Sequence, residues 1–181
     1  MDQSKIEGGL LERWALAYLS RYASTAENLR RVLQRRVHRR FGEDAEAMRL
    51  AAPLINKIIE RYCHSGLIDD TAYAVRRAEA LHHRGESLAK IRAQLVAKGV
   101  TGAIATDALA ALREAAADPD LVAACAFARR RRLGPYRSGN IAPERELAAF
   151  ARAGFSRRIA EIVLACKNAE AADTLAREGS S

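Results

Sequence analysis

Apolar positions recur at helical spacing along almost the whole chain. Trp14, Tyr18 and Tyr22 fall at i, i+4 and i+8 with Leu11, Ala15 and Leu19 beside them, which predicts one apolar face of a first helix over about residues 10 to 22. Ser24-Thr25-Ala26-Glu27 reads as a capping box, with the Ser24 hydroxyl taking the amide of the third helical residue and Glu27 reaching back. It opens a second helix carrying Leu29, Val32, Leu33 and Val37, which Phe41-Gly42 ends. A third helix starts near Asp44 and runs through Leu54, Ile55, Ile58, Ile59 and Tyr62 to a left-handed glycine at Gly66. Pro53 lies inside that span and marks either a kink or a restart at a first turn; the pattern leaves both open.

Asp69 or Asp70 caps a fourth helix that holds Tyr73, Ala74, Arg77 and Leu81 and closes at Gly85. Ser87 opens a fifth, with Leu88, Ile91 and Leu95 inward and Gly99 past its end, and Thr101 opens a sixth through Ile104, Ala108 and Leu112. Asp118-Pro119 is an N-cap with proline at the first helical position, and the seventh helix continues into Arg129 to Arg132. Gly134-Pro135 breaks the chain and Ser138-Gly139-Asn140 makes a loop. Pro143 begins an eighth helix ending at Gly154, Ser156 begins a ninth with Ile159, Ile162, Val163 and Leu164, and the pattern fades over 172 to 181.

The nine helices sort into threes. Leu95-Val-Ala-Lys-Gly99-Val100 followed by Ile104 matches Phe150-Ala-Arg-Ala-Gly154-Phe155 followed by Ile159, the two glycines standing 55 residues apart. The first three helices fit the same plan when Leu33 is aligned with Leu95, with a longer link from Arg35 to Ala51. The expected architecture is therefore all-α: three tandem three-helix modules resembling helix-turn-helix units, at 11–66, 67–117 and 118–171, in an elongated, curved array. A flexible tail over 1–10 and a frayed one over 172–181 flank them.

Composition supports helix nearly everywhere, since 38 of the 181 residues are alanine and only 4 are proline. The net charge is +8, carried by 25 arginines and 5 lysines, and points to a polyanionic partner or surface. The arginine skew fits bidentate phosphate contacts and fits equally a GC-rich coding bias. Over 1–66, 67–117 and 118–181 the net charges are +4, +1 and +3, so the excess sits in the outer two. Asp2, Glu7 and Glu12 with no apolar core argue against a secretory signal, and the longest apolar run, Leu121 to Ala128, is far short of a membrane span. Cys63, Cys125 and Cys166 are odd in number and widely spaced, so we expect reduced, buried thiols rather than a disulfide framework or a zinc site.

Two clusters are candidate contact surfaces. Arg30, Arg31, Arg35, Arg36, Arg39 and Arg40 give one stripe through Arg31, Arg35 and Arg39 and a second through Arg36 and Arg40. Arg129, Arg130, Arg131 and Arg132, with Arg137, surround a helix C-terminus, where cations also favour the helix dipole. The bland alternative for either is a solvated face, though four consecutive arginines point all round a helix end and one or two of them must meet the protein. Asp69-Asp70 invites a metal or acid–base reading, but no third ligand stands at helical spacing and capping accounts for both; Arg76 or Arg77 could pair with them or face a partner. Cys63-His64 and His82-His83 are too close in sequence to chelate, and no Gly-rich phosphate loop is present, so no enzyme, metal or cofactor is expected. Trp14, Tyr18 and Tyr22 fit a core face better than base stacking.

Gly66-Leu-Ile-Asp69-Asp70-Thr-Ala-Tyr73-Ala-Val-Arg76-Arg77, then Gly85-Glu-Ser-Leu-Ala-Lys-Ile91 and Leu95-Val-Ala-Lys-Gly99-Val100, resembles the second repeat of the RecX family of recombinase regulators. Ala15-Leu-Ala-Tyr-Leu-Ser-Arg21 with Ser24, Glu27 and Leu29 is similar to the first repeat. Arg129 to Arg137 with Ala153-Gly154-Phe-Ser-Arg157-Arg158-Ile159 is similar to the third, so that about 11 to 166 is covered. The resemblance implies a bacterial cytoplasmic protein, expected to be monomeric, that binds the RecA filament on single-stranded DNA. It would suppress ATP hydrolysis, strand exchange and coprotease activity, modulate recombination and the SOS response, and bind single- or double-stranded DNA weakly. Asp69, Asp70, Tyr73, Gly85, Gly99 and Gly154 then belong to the structural motif, and Arg76, Arg77, Arg157 and Arg158 join the contact candidates. Two other readings stay open: an autonomous helix-turn-helix-like protein acting on naked DNA with strong salt dependence, and a passive helical scaffold.

Overall fold

A computed structural model describes residues 8–139 and 142–180. Among these the chain is all-α. Its helices are α1 Gly8–Leu19, α2 Ala26–Phe41, α3 Ala45–His64, α4 Asp70–His83, α5 Leu88–Ala97, α6 Gly102–Glu114, α7 Pro119–Arg131, α8 Pro143–Arg152, α9 Arg157–Leu164 and α10 Ala169–Gly179, with a 3₁₀ turn at Gly134–Tyr136.

By packing, the chain falls into two compact units, one reaching Tyr73 and including Lys98–Val100, the other comprising Ala74–Ala97 and the described residues from Thr101 onward. In the first, Leu29, Leu33 and Val37 of α2 meet Ala51, Ile55, Ile58, Ile59 and Tyr62 of α3, with Leu11 and Ala15 of α1 and Ile68 completing the core. Full burial of such a side chain stabilises by about 1.5–3 kcal/mol. In the second, the rings of Phe127, Phe150 and Phe155 stand 5.2, 5.5 and 5.8 Å apart at steep angles and tie α7 to α8 and the turn after it. Ala123, Ala124, Ala128, Ile159 and Val163 pack around them.

Several expectations need correction. The first helix stops at Leu19, and Tyr22 lies outside it, 57% exposed, with its ring 5.1 Å from that of Tyr18. Trp14 and Tyr18 do pack against the core. The cap of α2 is Thr25, which accepts from the Asn28 amide at 3.0 Å; Ser24 takes the Asn28 side chain instead, at 2.8 Å, and Glu27 turns to the arginines of its own helix. α3 is continuous through Pro53, an exposed position, so no restart occurs there.

The tail expected to fray over 172–181 is, as far as it is described, largely helix. Asn168 caps α10 through the Ala171 amide at 2.9 Å, Ala172 is fully buried, and the Gly179 carbonyl accepts from Asp118 N at 3.0 Å. Leu175 and Ala176 add the apolar contact that small residues masked in the sequence pattern. At the other end Gly8–Leu10 already belong to α1, while residues 1–7, like Asn140 of the expected loop, lie outside the described residues. The expected ninth helix ends at Leu164, so ten helices stand among the described residues where nine were expected.

One local arrangement occurs twice. The buried Thr25 hydroxyl donates to the Lys98 carbonyl at 2.5 Å while the next amide, Ala26, donates to the Asp70 carboxylate at 2.9 Å. The buried Ser87 hydroxyl donates to the Ala153 carbonyl at 2.7 Å while the next amide, Leu88, donates to Asp120 at 2.8 Å. Each pair clasps the N-terminus of one helix to a later glycine turn and to the first turn of a later helix. The glycines themselves, Gly99 and Gly154, have φ of +84° and +85°; a Cβ on Gly99 would run into the Glu27 side chain, and one on Gly154 would lie 2.6 Å from Ser87 Oγ.

Candidate functional site: the arginine clusters

All six arginines of the first cluster lie on α2, so the i, i+4 stripes form as expected. They are not equivalent. Arg30 and Arg31 pair with Glu27 at 2.5 and 2.9 Å, and their hydrogen bonds hold its carboxylate below the usual range, led by that from Arg30. Arg30 also donates to the Asn56 side chain at 3.3 Å, and half-buried Arg36 donates to the Trp14 carbonyl at 3.4 Å. Arg40 lies over the Phe41 ring at 5.9 Å. Arg35 and Arg39 remain exposed, one turn apart, with no ion pair among the described residues.

The second cluster ends α7, and the protein itself engages several of its members. Arg129 binds the Asp173 carboxylate of α10 and stacks over Tyr136 at 5.5 Å. The Tyr136 hydroxyl donates to the same carboxylate. Together the phenol and then Arg129 hold Asp173 below its ordinary value, while burial followed by the Asp173 bond pushes Tyr136 up to about 12. Arg130 donates to the Arg84 carbonyl, lies 3.6 Å from Glu86 and covers the Phe127 ring at 6.0 Å. Arg132 closes the helix in the left-handed conformation, φ +55°, with its amide bonded to the Arg129 carbonyl at 3.3 Å and that of Leu133 to Ala128 at 2.9 Å. Arg131 is exposed and free of ion pairs among the described residues.

Arg137 pairs at 3.5 Å with Glu146, which is 3% exposed and also accepts from the Gly134 amide at 2.6 Å. That buried carboxylate fixes the 3₁₀ turn just past the cluster. Sequence reasoning missed it, although its place four residues before buried Phe150 puts it on the inward face of α8. Asp173 was missed because the helix carrying it was. Of the remaining candidates, Arg157 pairs with Glu161 at 2.6 Å and Arg158 with Asp118 at 3.5 Å. Arg76 is exposed and Arg77 half-buried on α4, and neither forms an ion pair with Asp69 or Asp70 among the described residues.

The acidic pair is structural. Asp69 caps its own helix through the Ala72 amide at 2.8 Å, and Asp70 holds the N-terminus of α2. No group of three metal-binding side chains occurs among the described residues, and His82 is buried with Nε2 2.7 Å from the Pro119 carbonyl, to which it donates. Cys125 is buried, which pushes its thiol up to about 11, but Cys63 is exposed, against the expectation of three buried thiols. No described helix is long and apolar enough to cross a membrane.

No protein-family model matches the chain, and no solved structure matches it. Two curated proteins do. The regulatory protein RecX of Myxococcus xanthus (strain DK1622) is 39% identical over 168 residues, covering 88% of this chain and 87% of that protein. The regulatory protein RecX of Agrobacterium fabrum (strain C58 / ATCC 33970) is 35% identical over 167 residues, covering 89% and 85%. With identity of that size sustained over most of both partners, and the repeated glycine turns inside the matched span, this chain belongs to the RecX family of regulatory proteins.

Proposed function

We propose that this protein regulates a RecA-type recombinase in the bacterial cytoplasm by binding its filament on single-stranded DNA. In this reading it suppresses ATP hydrolysis, strand exchange and coprotease activity, and so modulates recombination and the SOS response. It acts by binding alone and catalyses no reaction. The observation that carries the reading is the similarity to regulatory proteins named RecX over 88% of the chain. The exposed arginines without carboxylate partners, Arg35 and Arg39 on α2 and Arg76 on α4, support it as charge available to an acidic partner. The three-module organisation, 11–66, 67–117 and 118–171, belongs to the same proposal. The twice-used clasp supports it, because Thr25 and Ser87 hold corresponding places in the first and second modules.

Co-sedimentation with preformed RecA filaments on single-stranded DNA tests this. The wild-type chain should pellet with filaments in preference to the same DNA without RecA. Reversal of the two exposed arginines, Arg35→Glu with Arg39→Glu, should weaken filament capture roughly tenfold at low salt. Equal capture by naked DNA would favour the autonomous DNA-binding reading, for which the net charge of +8 is the supporting observation.

A further inference from the structure

We infer that a cavity of about 390 Å³ between α5, α7 and α8 is a seat for a phosphodiester group of a nucleic-acid strand. Lys90, Arg130, Arg131 and Arg152 line it, with Glu86 as the only carboxylate among its lining residues and Phe127 at its inner side. Glu86 is half-buried and lies 2.6 Å from Lys90 and 3.6 Å from Arg130, so its charge is spent on holding those two cations in place. Arg131 and Arg152 face the same space without an ion pair among the described residues. Four cations against one carboxylate leave a concave site of net charge +3, where fixed like charges await a counter-charge.

The geometry favours phosphate over a carboxylate side chain. A carboxylate presents its acceptor positions in one plane, whereas the donors here arrive from three helices. A tetrahedral phosphodiester accepts from several directions at once. The contact would be to the backbone, so it positions a strand without reading its sequence. This deepens the regulator reading and rests on it only for where the strand comes from, the filament. Lys90 and Arg152 were not candidates in the sequence, because neither lies in an arginine run; the fold brings them to Arg130 and Arg131.

The test is fluorescence anisotropy of the full chain with labelled single-stranded oligonucleotides, one oligo-dT and one of mixed sequence, over a salt series. The double variant Arg131→Ala, Arg152→Ala is compared with Arg113→Ala, an exposed arginine on α6 outside the cavity. Losing two phosphate contacts should lower the slope of log K against log salt by about 1.4, so that the wild type's extra loss between 50 and 200 mM salt is about sevenfold, alike for both oligonucleotides. The Arg113 variant should keep the wild-type slope. A double variant with normal far-ultraviolet circular dichroism and an unchanged slope would overturn the proposal. So would one that binds DNA normally and yet fails to inhibit the recombinase, since the cavity would then serve an acidic protein surface. Because no recombinase is present in the anisotropy assay, failure there leaves the regulator reading standing, and failure of co-sedimentation leaves the phosphate seat standing.

Discussion

Arg132 is the described non-glycine residue held at positive φ, in the position after a helix where glycine is the usual occupant. The left-handed conformation costs a side chain about 1 kcal/mol. Arg132→Gly should therefore raise stability by about 0.5–1 kcal/mol in urea unfolding; a loss of stability would mean that the arginine side chain makes a compensating contact. Gly154 gives the opposite case, since its φ of +85° disfavours any side chain and a methyl group there would lie 2.6 Å from the Ser87 hydroxyl. Gly154→Ala should cost about 1–3 kcal/mol, read as a lower midpoint of thermal unfolding, and a neutral substitution would contradict the close approach.

Burial of Tyr136, together with its bond to Asp173, makes stability depend on pH at both ends. The phenol's folded value is raised to about 12 from an ordinary 10.0, so its contribution is complete below pH 10 and disappears as pH rises towards 12. The carboxylate's folded value is lowered, so its contribution is present above the ordinary value of 3.8 and is lost as pH falls below it. Tyr136→Phe should remove the alkaline component, whereas Asp173→Asn should remove the acidic one and leave the part of the alkaline one that burial of the phenol sets, in pH-dependent unfolding. The Asp173 side chain is 40% exposed, and screening by solvent keeps its own contribution small.

Elements in this chain are held by paired side-chain caps that reach across long stretches of sequence. Thr25→Ala removes both the α2 cap and the bond to the Lys98 carbonyl, and Ser87→Ala removes the corresponding pair at α5 and Ala153. Each should cost about 2 kcal/mol, with Thr25→Ser recovering most of it. If the two alanine variants differ widely in chemical denaturation, the clasps are not equivalent. What was legible in the sequence was the local half of this design. Asp44, Asp69, Thr101, Asp118 and Ser156 cap the helices they precede, and Gly66, Gly85, Gly99 and Gly154 turn left-handed where the apolar pattern breaks. The other half was hidden because its partners are far apart: Asp70 is 44 residues from Ala26, Asp120 is 32 from Leu88, and Asp173 is 44 from Arg129. The clusters were visible as runs of arginine. Which members are committed to Glu27, Glu86, Asp173 or Glu146, and which stay available, depends on those distant carboxylates.

At the scale of the whole molecule, the proposed regulation by this helical protein runs through charged surfaces. Arginines are divided between holding the fold and facing outward. Replacing all of Arg129 to Arg132 would therefore mix the two roles, whereas Arg35, Arg39, Arg131 and Arg152 can be changed with little effect on stability. The most direct test of regulation through the filament is single-strand-dependent ATP hydrolysis by RecA on a preformed filament, titrated with this protein from far below one per recombinase to above it, with excess naked DNA as competitor. Inhibition at substoichiometric amounts that survives the competitor is the expected result. Inhibition that appears only when the protein can coat the DNA, or that vanishes with competitor, would contradict it.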